Sequence, residues 1–317
     1  MHVYSIPLRT RFRGIDVREG LLVQGTAGWG EFSPFREYDD AEAASWWRAA
    51  REAAEEGFPA PVRDAIPVNV TVPAVDAERA HAIVRASGGC TTAKVKVAEP
   101  GQSEADEIAR LEAVRDALGP SGRIRVDANG AWDVETAVAR LAVLDRAAGG
   151  LEYAEQPCAS VADLAAVRRR VAVPIAADES IRRASDPYAV VRAEAADVIV
   201  LKVQPLGGVR ACLRLAHELG LPVVVSSALE SSVGLAAGIA LAAALPELPY
   251  ACGLATAHLF TDDVTAEPLL PRDGAIAVRP VAADAGALAR TAASPAQAAW
   301  WLDRVDRVRA CTEQEPA

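Results

Sequence analysis

The sequence predicts an α/β chain whose centre is a parallel β-barrel of seven or eight strands, with a smaller α+β region ahead of it. Three observations predict this. Apolar strand-like runs alternate with helix-like segments between residues 66 and 260. Five of those runs end in a single charged residue, namely Lys96, Asp127, Glu155, Asp178 and Lys202. Successive members of that series are 31, 28, 23 and 24 residues apart, about the length of one strand–helix unit, so all five converge on one mouth of the barrel. The length of 317 residues suits one barrel with further regions attached.

In chain order, REGLLVQGTAGWGEFSP reads as two strands joined around residues 25–28. DDAEAASWWRAAREAAEEG reads as an acid-started, alanine-rich helix ending at Gly57. Alternation begins near IPVNVTVP, with strands expected at 67–72, 92–97, 123–127, 151–154, 173–177, 198–202, 222–226 and 250–254. Between them SEADEIARLEAVRDALG, DVETAVARLAVLDRAAGG and GGVRACLRLAHELG carry apolar residues at three- and four-residue spacing, as helices packed on one face do. The apolar run at 233–245 has 13 residues where a membrane span needs about 20, so it is a buried helix. Periodicity then lapses until a helix at 295–311, whose segment turns back toward the N-terminal region. The expected units are an α+β capping domain at 1–65, the barrel at 66–260 and a returning C-terminal segment at 261–317.

Apolar residues at 51% and charged residues at 24% are ordinary for a globular chain. A formal charge of −10 without a basic stripe argues against nucleic acid. Cys90, Cys158, Cys212, Cys252 and Cys311 form neither a CxxC pair nor an even framework, and the N-terminus has no secretory apolar stretch. The expectation is a cytoplasmic protein with free thiols, a small anionic molecule as its substrate, and neither a membrane nor a protein partner.

In a strand, residues i and i+2 face the same side, so Lys94 with Lys96, and Arg125 with Asp127, both point into the barrel. Three carboxylates from successive strands match the hard-oxygen set preferred by Mg²⁺, with Mn²⁺ able to replace it, whereas four scattered histidines offer no zinc site. Taken singly, each carboxylate reads equally as a strand-end cap or a salt-bridge partner. Together they suit removal of a proton next to a carboxylate, because a divalent cation stabilises the second negative charge that develops. A lysine serves as the base once it is desolvated beside other cations, a role that fits Lys96, with Lys202 facing it as a second acid/base or a fixed charge.

The ordered motifs KVK, VDANGAW, EQP, ADES and LK, at family-like spacing over most of the chain, resemble the enolase superfamily and its muconate-lactonising subgroup. The resemblance implies a (β/α)7β TIM-like barrel with an α+β cap built from both termini. By position it implies Lys96 as the base, Asp127, Glu155 and Asp178 as Mg²⁺ ligands, and Lys202 as the opposite lysine, with Asn129 of VDANGAW beside the site. The stretch VVVSSALESSVGLAAG is similar to that of the menaquinone-pathway dehydratases that form o-succinylbenzoate, and N-succinylamino acid racemases resemble it closely. Ser226, Ser227, Leu229 and Ser231 of this stretch, with Gly253 and with Lys94, Arg125 and Asn129 of the strand-end motifs, are the expected substrate contacts. Its serines and the following helix N-terminus suit a second carboxylate such as a succinyl tail, or simply a serine-capped helix start. The segment TRFRG at 10–14 resembles the cap loop that closes on substrate, which makes Arg13 a candidate contact, although an exposed basic turn reads the same way. The lysine–proline pair common among relatives is absent, since Lys202 is followed by Val203-Gln204-Pro205. The implied reaction is dehydration of 2-succinyl-6-hydroxy-2,4-cyclohexadiene-1-carboxylate, with racemisation of an N-succinylamino acid as the alternative and a non-catalytic ligand-binding barrel as the third reading.

Overall fold

The computed structural model describes residues 1–183 and 186–312. The chain opens with a three-stranded antiparallel sheet, β1 (His2–Phe12), β2 (Ile15–Gln24) and β3 (Trp29–Phe32), followed by α1 (Asp40–Arg51). Asp39 caps α1 through the Glu42 amide, and a π-helical turn over Glu52–Glu56 carries the helix to Gly57. The TRFRG segment is not a loop throughout. Thr10 to Phe12 complete β1, and only Arg13 and Gly14 turn, both at positive φ (51° and 75°), making the tip of a long hairpin.

The barrel begins with β4 (Ala65–Pro67), β5 (Val70–Val72), α2 (Ala77–Arg85), β6 (Thr92–Lys96), α3 (Glu104–Leu118), β7 (Arg123–Asp127) and α4 (Val134–Ala148). It continues with β8 (Tyr153–Glu155), α5 (Val161–Arg168), β9 (Ile175–Ala177), α6 (Glu179–Arg182), α7 (Ala189–Arg192) and β10 (Val198–Leu201). The last turns are α8 (Val209–Leu219), β11 (Val223–Val225) and α9 (Ser232–Ala244). Strands β5 to β11 form one parallel sheet in chain order. Single parallel bridges, Val68 to Cys252 and Ser226 to Gly253, close it, so the eighth expected strand is reduced to the hydrogen bonds of Cys252 and Gly253. The run expected as one strand at 67–72 is two, because β4 leaves the barrel to pair with β12 (Ala275–Ala277).

Alternation along the strands sorts side chains as their period of two requires. Ala93, Val95, Ile124, Val126 and Ala154 face the helices and join the main apolar core. Tyr153, Ala176, Val198, Val200 and Val224 fill the barrel itself. Helix α9, apolar on all sides, is buried along nearly its whole length, as such a helix must be. Among the described residues no helix is long and apolar enough to cross a membrane.

The C-terminal segment touches β1 where the Thr261 amide donates to Pro7 O, passes beneath the barrel at β12, and continues through α10 (Ala285–Arg290) to α11 (Pro295–Thr312). Trp301, Val305 and Val308 of α11 share a second apolar core with Phe32, Trp46 and Trp47 of the N-terminal region. Residues 313–317 lie outside the described residues. Two glutamates of the N-terminal region dock it on the barrel by filling helix N-termini, where free amides and the helix dipole favour an anion. Glu52 accepts from the Val209 and Arg210 amides of α8 at 2.6 and 3.1 Å. Glu31 accepts from the Ser231 and Gly234 amides of α9 at 3.2 and 3.1 Å.

Candidate active site

Register builds the site in two layers. Lys96, Asp127 and Glu155 are direct neighbours across β6, β7 and β8, and Lys94, Arg125 and Tyr153 form the layer below. Asp178 follows β9 and Lys202 follows β10, so both reach the upper layer from the next two strands. Asp127, Glu155 and Asp178 are buried to 1%, 1% and 0% exposure, a placement that costs several kcal/mol per unpaired charge. Cations meet each of them. Lys94 Nζ lies 2.9 Å from Glu155 Oε1 and 3.2 Å from Asp127 Oδ2, and Lys96 Nζ lies 2.7 Å from Asp127 Oδ2. Lys202 Nζ holds Asp178 Oδ2 at 2.5 Å, and Arg182 Nε holds its Oδ1 at 2.9 Å.

The electrostatics follow from this pairing. Burial works against ionised Asp127, but Lys96 and Lys94 outweigh it and hold the carboxyl well below its ordinary range. Asp178 is held near 2 in spite of burial, by Arg182 and Lys202. Glu155 goes the other way, pushed up to about 7 by burial and by Asp127, because Lys94, with a smaller share from Lys202, offsets them incompletely. For Lys94, burial is overcome by Glu155 and Asp127, which fix it as an ammonium. Both lysines of β6 reach the cavity, Lys94 as a cation paired with two of the carboxylates and Lys96 paired with Asp127 alone.

That cavity, about 440 Å³, is lined by Lys94, Lys96, Asp127, Asn129 and Lys202 from the barrel and by Phe12, Arg13 and Phe35 from the N-terminal region. Ser226, Ser227, Leu229 and Gly253 complete one wall. Phe12 covers Lys96, with the ring centroid 5.7 Å from Nζ. Backbone strain gathers here, as it does at functional sites: Arg13, Asn129, Gln156 and Leu229 all adopt positive φ (51°, 47°, 41° and 67°). Asn129 accepts from Lys96 Nζ at 2.5 Å and donates to Glu179 Oε1 at 3.2 Å. A second cavity of about 490 Å³ lies between the hairpin and α2, but none of the strand-end carboxylates lines it.

Two expected contacts are corrected. Arg125 does point into the barrel, but it is fully buried in the lower layer and reaches down to Glu152 at 2.5 Å, Asn69 at 3.1 Å and the Ala251 carbonyl at 2.7 Å. It does not line the cavity at the mouth. Ser231 is likewise fully buried, its hydroxyl donating to Glu31, and the Ser232 hydroxyl donates to Asp263 at 2.6 Å. The helix N-terminus offered to a substrate carboxylate is thus occupied by Glu31 of the chain itself. Gly234 makes room for it, since a Cβ there would lie 2.9 Å from the Glu31 carboxyl carbon. Conversely, Arg182, Arg183, Glu179, Thr71 and Thr256 line the mouth without having been singled out. Arg182 was within reach of sequence reasoning, standing four residues after Asp178 on one helix face.

This arrangement can be compared with known proteins. The description "Enolase C-terminal domain-like" matches residues 76–283, and "Enolase N-terminal domain-like" matches residues 3–54. An o-succinylbenzoate synthase of Thermobifida fusca (strain YX) is 68% identical over 311 residues, covering 98% of this chain and 96% of that protein. The chain belongs to the enolase superfamily. An o-succinylbenzoate synthase of Mycolicibacterium smegmatis is 57% identical over 305 residues, covering 96% of this chain and 94% of its own length. Among solved structures, a muconate lactonizing enzyme from Pseudomonas fluorescens complexed with muconolactone superposes with a TM-score of 0.79 at 24% identity, covering 92% of this chain and 97% of that one. An N-succinyl Arg/Lys racemase from Bacillus cereus superposes with a TM-score of 0.78 at 20% identity, over 92% and 97% of the two chains. These two likenesses establish the shared barrel with its N-terminal cap. Enzymes of this superfamily use Mg²⁺.

The residues fit such an ion. Three buried carboxylates supply hard oxygens, and the crowding that lifts Glu155 to about 7 is what a divalent cation relieves. Among the described residues no three acids already close around one point, because the ammonium groups of Lys94, Lys96 and Lys202 stand between them.

Proposed function

We infer that the protein is a hydro-lyase that dehydrates 2-succinyl-6-hydroxy-2,4-cyclohexadiene-1-carboxylate to o-succinylbenzoate. The observation that carries this reading is the near-full-length identity of 68% to an o-succinylbenzoate synthase. The geometry supports it with a row of three buried carboxylates flanked by Lys96 at one end and Lys202 at the other.

Asp127, Glu155 and Asp178 would hold Mg²⁺, which when bound offsets the second negative charge developing on the substrate carboxylate. Lys96 is the residue to take the α-proton, because Lys94 is committed as a cation to Glu155 and Asp127. The resulting Lys96 ammonium then returns a proton to the departing hydroxide, so that water leaves and the ring becomes aromatic. Lys202 is a fixed cation on the other side of the cavity. Asn129 orients Lys96. Ser226, Ser227, Leu229 and Gly253 form the wall opposite Lys96, and Arg13 and Phe12 close over the mouth from the hairpin. The unpaired cysteines suit a reducing cytoplasm.

The test is the near-ultraviolet absorbance of the diene. It should fall when enzyme and Mg²⁺ are both present, stop falling in excess chelator, and fall again when Mg²⁺ is restored. Lys202→Arg separates dehydration from racemisation, since arginine keeps the charge but exchanges no proton at neutral pH. The variant should retain measurable dehydration and lose any deuterium exchange into an N-succinylamino acid. Full activity in chelator, or equal loss of both activities from a wild type that racemises faster than it dehydrates, would overturn the reading.

A further inference from the structure

One hydroxyl ties the hairpin tip to a strand-end carboxylate. Arg182 donates from Nε to Asp178 Oδ1 at 2.9 Å, from Nη2 to Glu179 Oε1 at 2.6 Å and from Nη1 to the Tyr38 hydroxyl at 3.1 Å. Arg13 at the hairpin tip donates to the same Tyr38 oxygen at 2.8 Å. A single phenol oxygen therefore accepts from two guanidinium groups, one on each side of the mouth. Tyr38 is itself firmly placed. Its ring packs edge-on against Phe35 and Trp46, with centroids 5.8 and 6.2 Å away. Its carbonyl accepts from Arg304 of α11 at 2.5 Å, and the Phe35 carbonyl accepts from the same guanidinium at 3.2 Å. The 35–38 turn is thus a post fixed by the C-terminal helix, and the Tyr38 hydroxyl is the point where two arginines meet.

The two arginines differ in what they can do without that oxygen. The Arg13 side chain is 34% exposed and can return to water, whereas that of Arg182 is 5% exposed and buried beside Asp178. Loss of the hydroxyl would leave the first with only its exposed pairing to Glu37 and its stack on Phe35, and would leave the second with an unpaired buried N–H, a state that costs more than the bond contributes. We propose that Tyr38 is a positioning residue that couples closure of the hairpin to the orientation of Asp178, so that a closed mouth and a metal-ready carboxylate favour each other. This rests on Asp178 being a Mg²⁺ ligand, as argued above.

Tyr38→Phe removes the hydroxyl and keeps the ring, so packing against Phe35 and Trp46 survives. Three quantities decide the matter: Mg²⁺ affinity by calorimetry without substrate, KM and kcat at saturating Mg²⁺, and the rate of tryptic cleavage after Arg11 and Arg13. The expected result is Mg²⁺ affinity and KM each weakened about fivefold, kcat within about twofold, and tip cleavage about tenfold faster. Arg182→Lys keeps the positive charge but cannot reach all three acceptors. In that background Tyr38→Phe should weaken Mg²⁺ affinity no further while still speeding tip cleavage, because the metal effect passes through Arg182 and the hairpin effect through Arg13. Wild-type Mg²⁺ affinity and KM in Tyr38→Phe, whatever its thermal stability, would overturn the coupling, as would additive Mg²⁺ effects of the two substitutions. A wild type that binds no Mg²⁺ would sink the metal assignment, and the coupling with it, before any variant was compared.

Discussion

Two clusters of buried acids, one at the mouth and one at the start of α9, differ in what meets them. At the mouth, Asp127, Glu155 and Asp178 are met chiefly by lysine and arginine side chains, and Asp127 lines the cavity together with Lys94, Lys96 and Lys202. At the start of α9, Glu31 accepts hydrogen bonds from the hydroxyls of Tyr4 at 2.6 Å, Ser33 at 2.7 Å and Ser231, besides the amides of Ser231 and Gly234. Glu230 accepts from the Ala228 amide at 2.9 Å, and Asp263 accepts from Ser232. A carboxylate saturated by fixed amides and hydroxyls has no lone pair left for an ion. One held by ammonium groups beside a cavity can exchange them for a metal. Burial and a raised pKa are common to both clusters, as Glu155 and Glu230 each stand near 7. The partners, rather than the burial, separate a reactive acid from a structural one.

The comparison breaks first at the base. Lys96→Ala should lower kcat by roughly 10³-fold while leaving KM nearly unchanged, since the amine acts on the proton only as the transition state forms. Lys96→Arg should be almost as inactive, because arginine stays protonated. Near-native turnover of the arginine variant in a steady-state assay would remove Lys96 from the role of proton acceptor.

Next comes the layer beneath. Arg125→Met removes the buried partner of Glu152, which keeps only the exposed Arg123 at 3.5 Å, and breaking such a pair costs about 3 kcal/mol. Chemical denaturation should register that loss, whereas KM should stay within about threefold of wild type because Arg125 is out of the mouth. A KM increase beyond tenfold would return Arg125 to the substrate.

A further comparison is one of pH. Burial first, then a neighbouring acid, lifts both Glu155 and Glu230 from an ordinary 4.5 to about 7. A carboxyl raised in the folded state stabilises the fold while it is protonated. Its contribution is complete below pH 4.5 and is lost as pH rises to 7, amounting to about 3 kcal/mol per group. Urea unfolding of metal-free protein should therefore show stability falling across this window. Glu230→Gln should remove roughly half of the fall, and Mg²⁺ should remove the share due to Glu155. An unchanged slope in Glu230→Gln would contradict the assignment of Glu230.

How much was legible follows from how far each cue reaches. The strand-end charges were legible because a charge closing an apolar run recurs at the length of one strand–helix unit, and that period alone sets which mouth it occupies. The inward face of Arg125 was legible from its i+2 relation to Asp127. Its downward reach was not, because that depends on Glu152, a partner from another strand. The serines before α9 announced a helix start in need of an anion, yet the anion came from Glu31, 200 residues away in sequence. Tyr38 carried no local signal at all, since its role exists only where Arg13 and Arg182 meet. Contacts across the two regions escape any reading of spacing, and the cap-to-barrel clamps are all of that kind.

Calorimetric titration of Mg²⁺ into wild type, Glu155→Gln and Glu31→Gln tests the distinction most directly. Glu155→Gln should weaken Mg²⁺ binding by roughly 100-fold, as expected for loss of a charged ligand, while Glu31→Gln, though less stable, should bind Mg²⁺ like wild type. Unweakened binding in Glu155→Gln, or an equal loss in the folded Glu31→Gln protein, would contradict it.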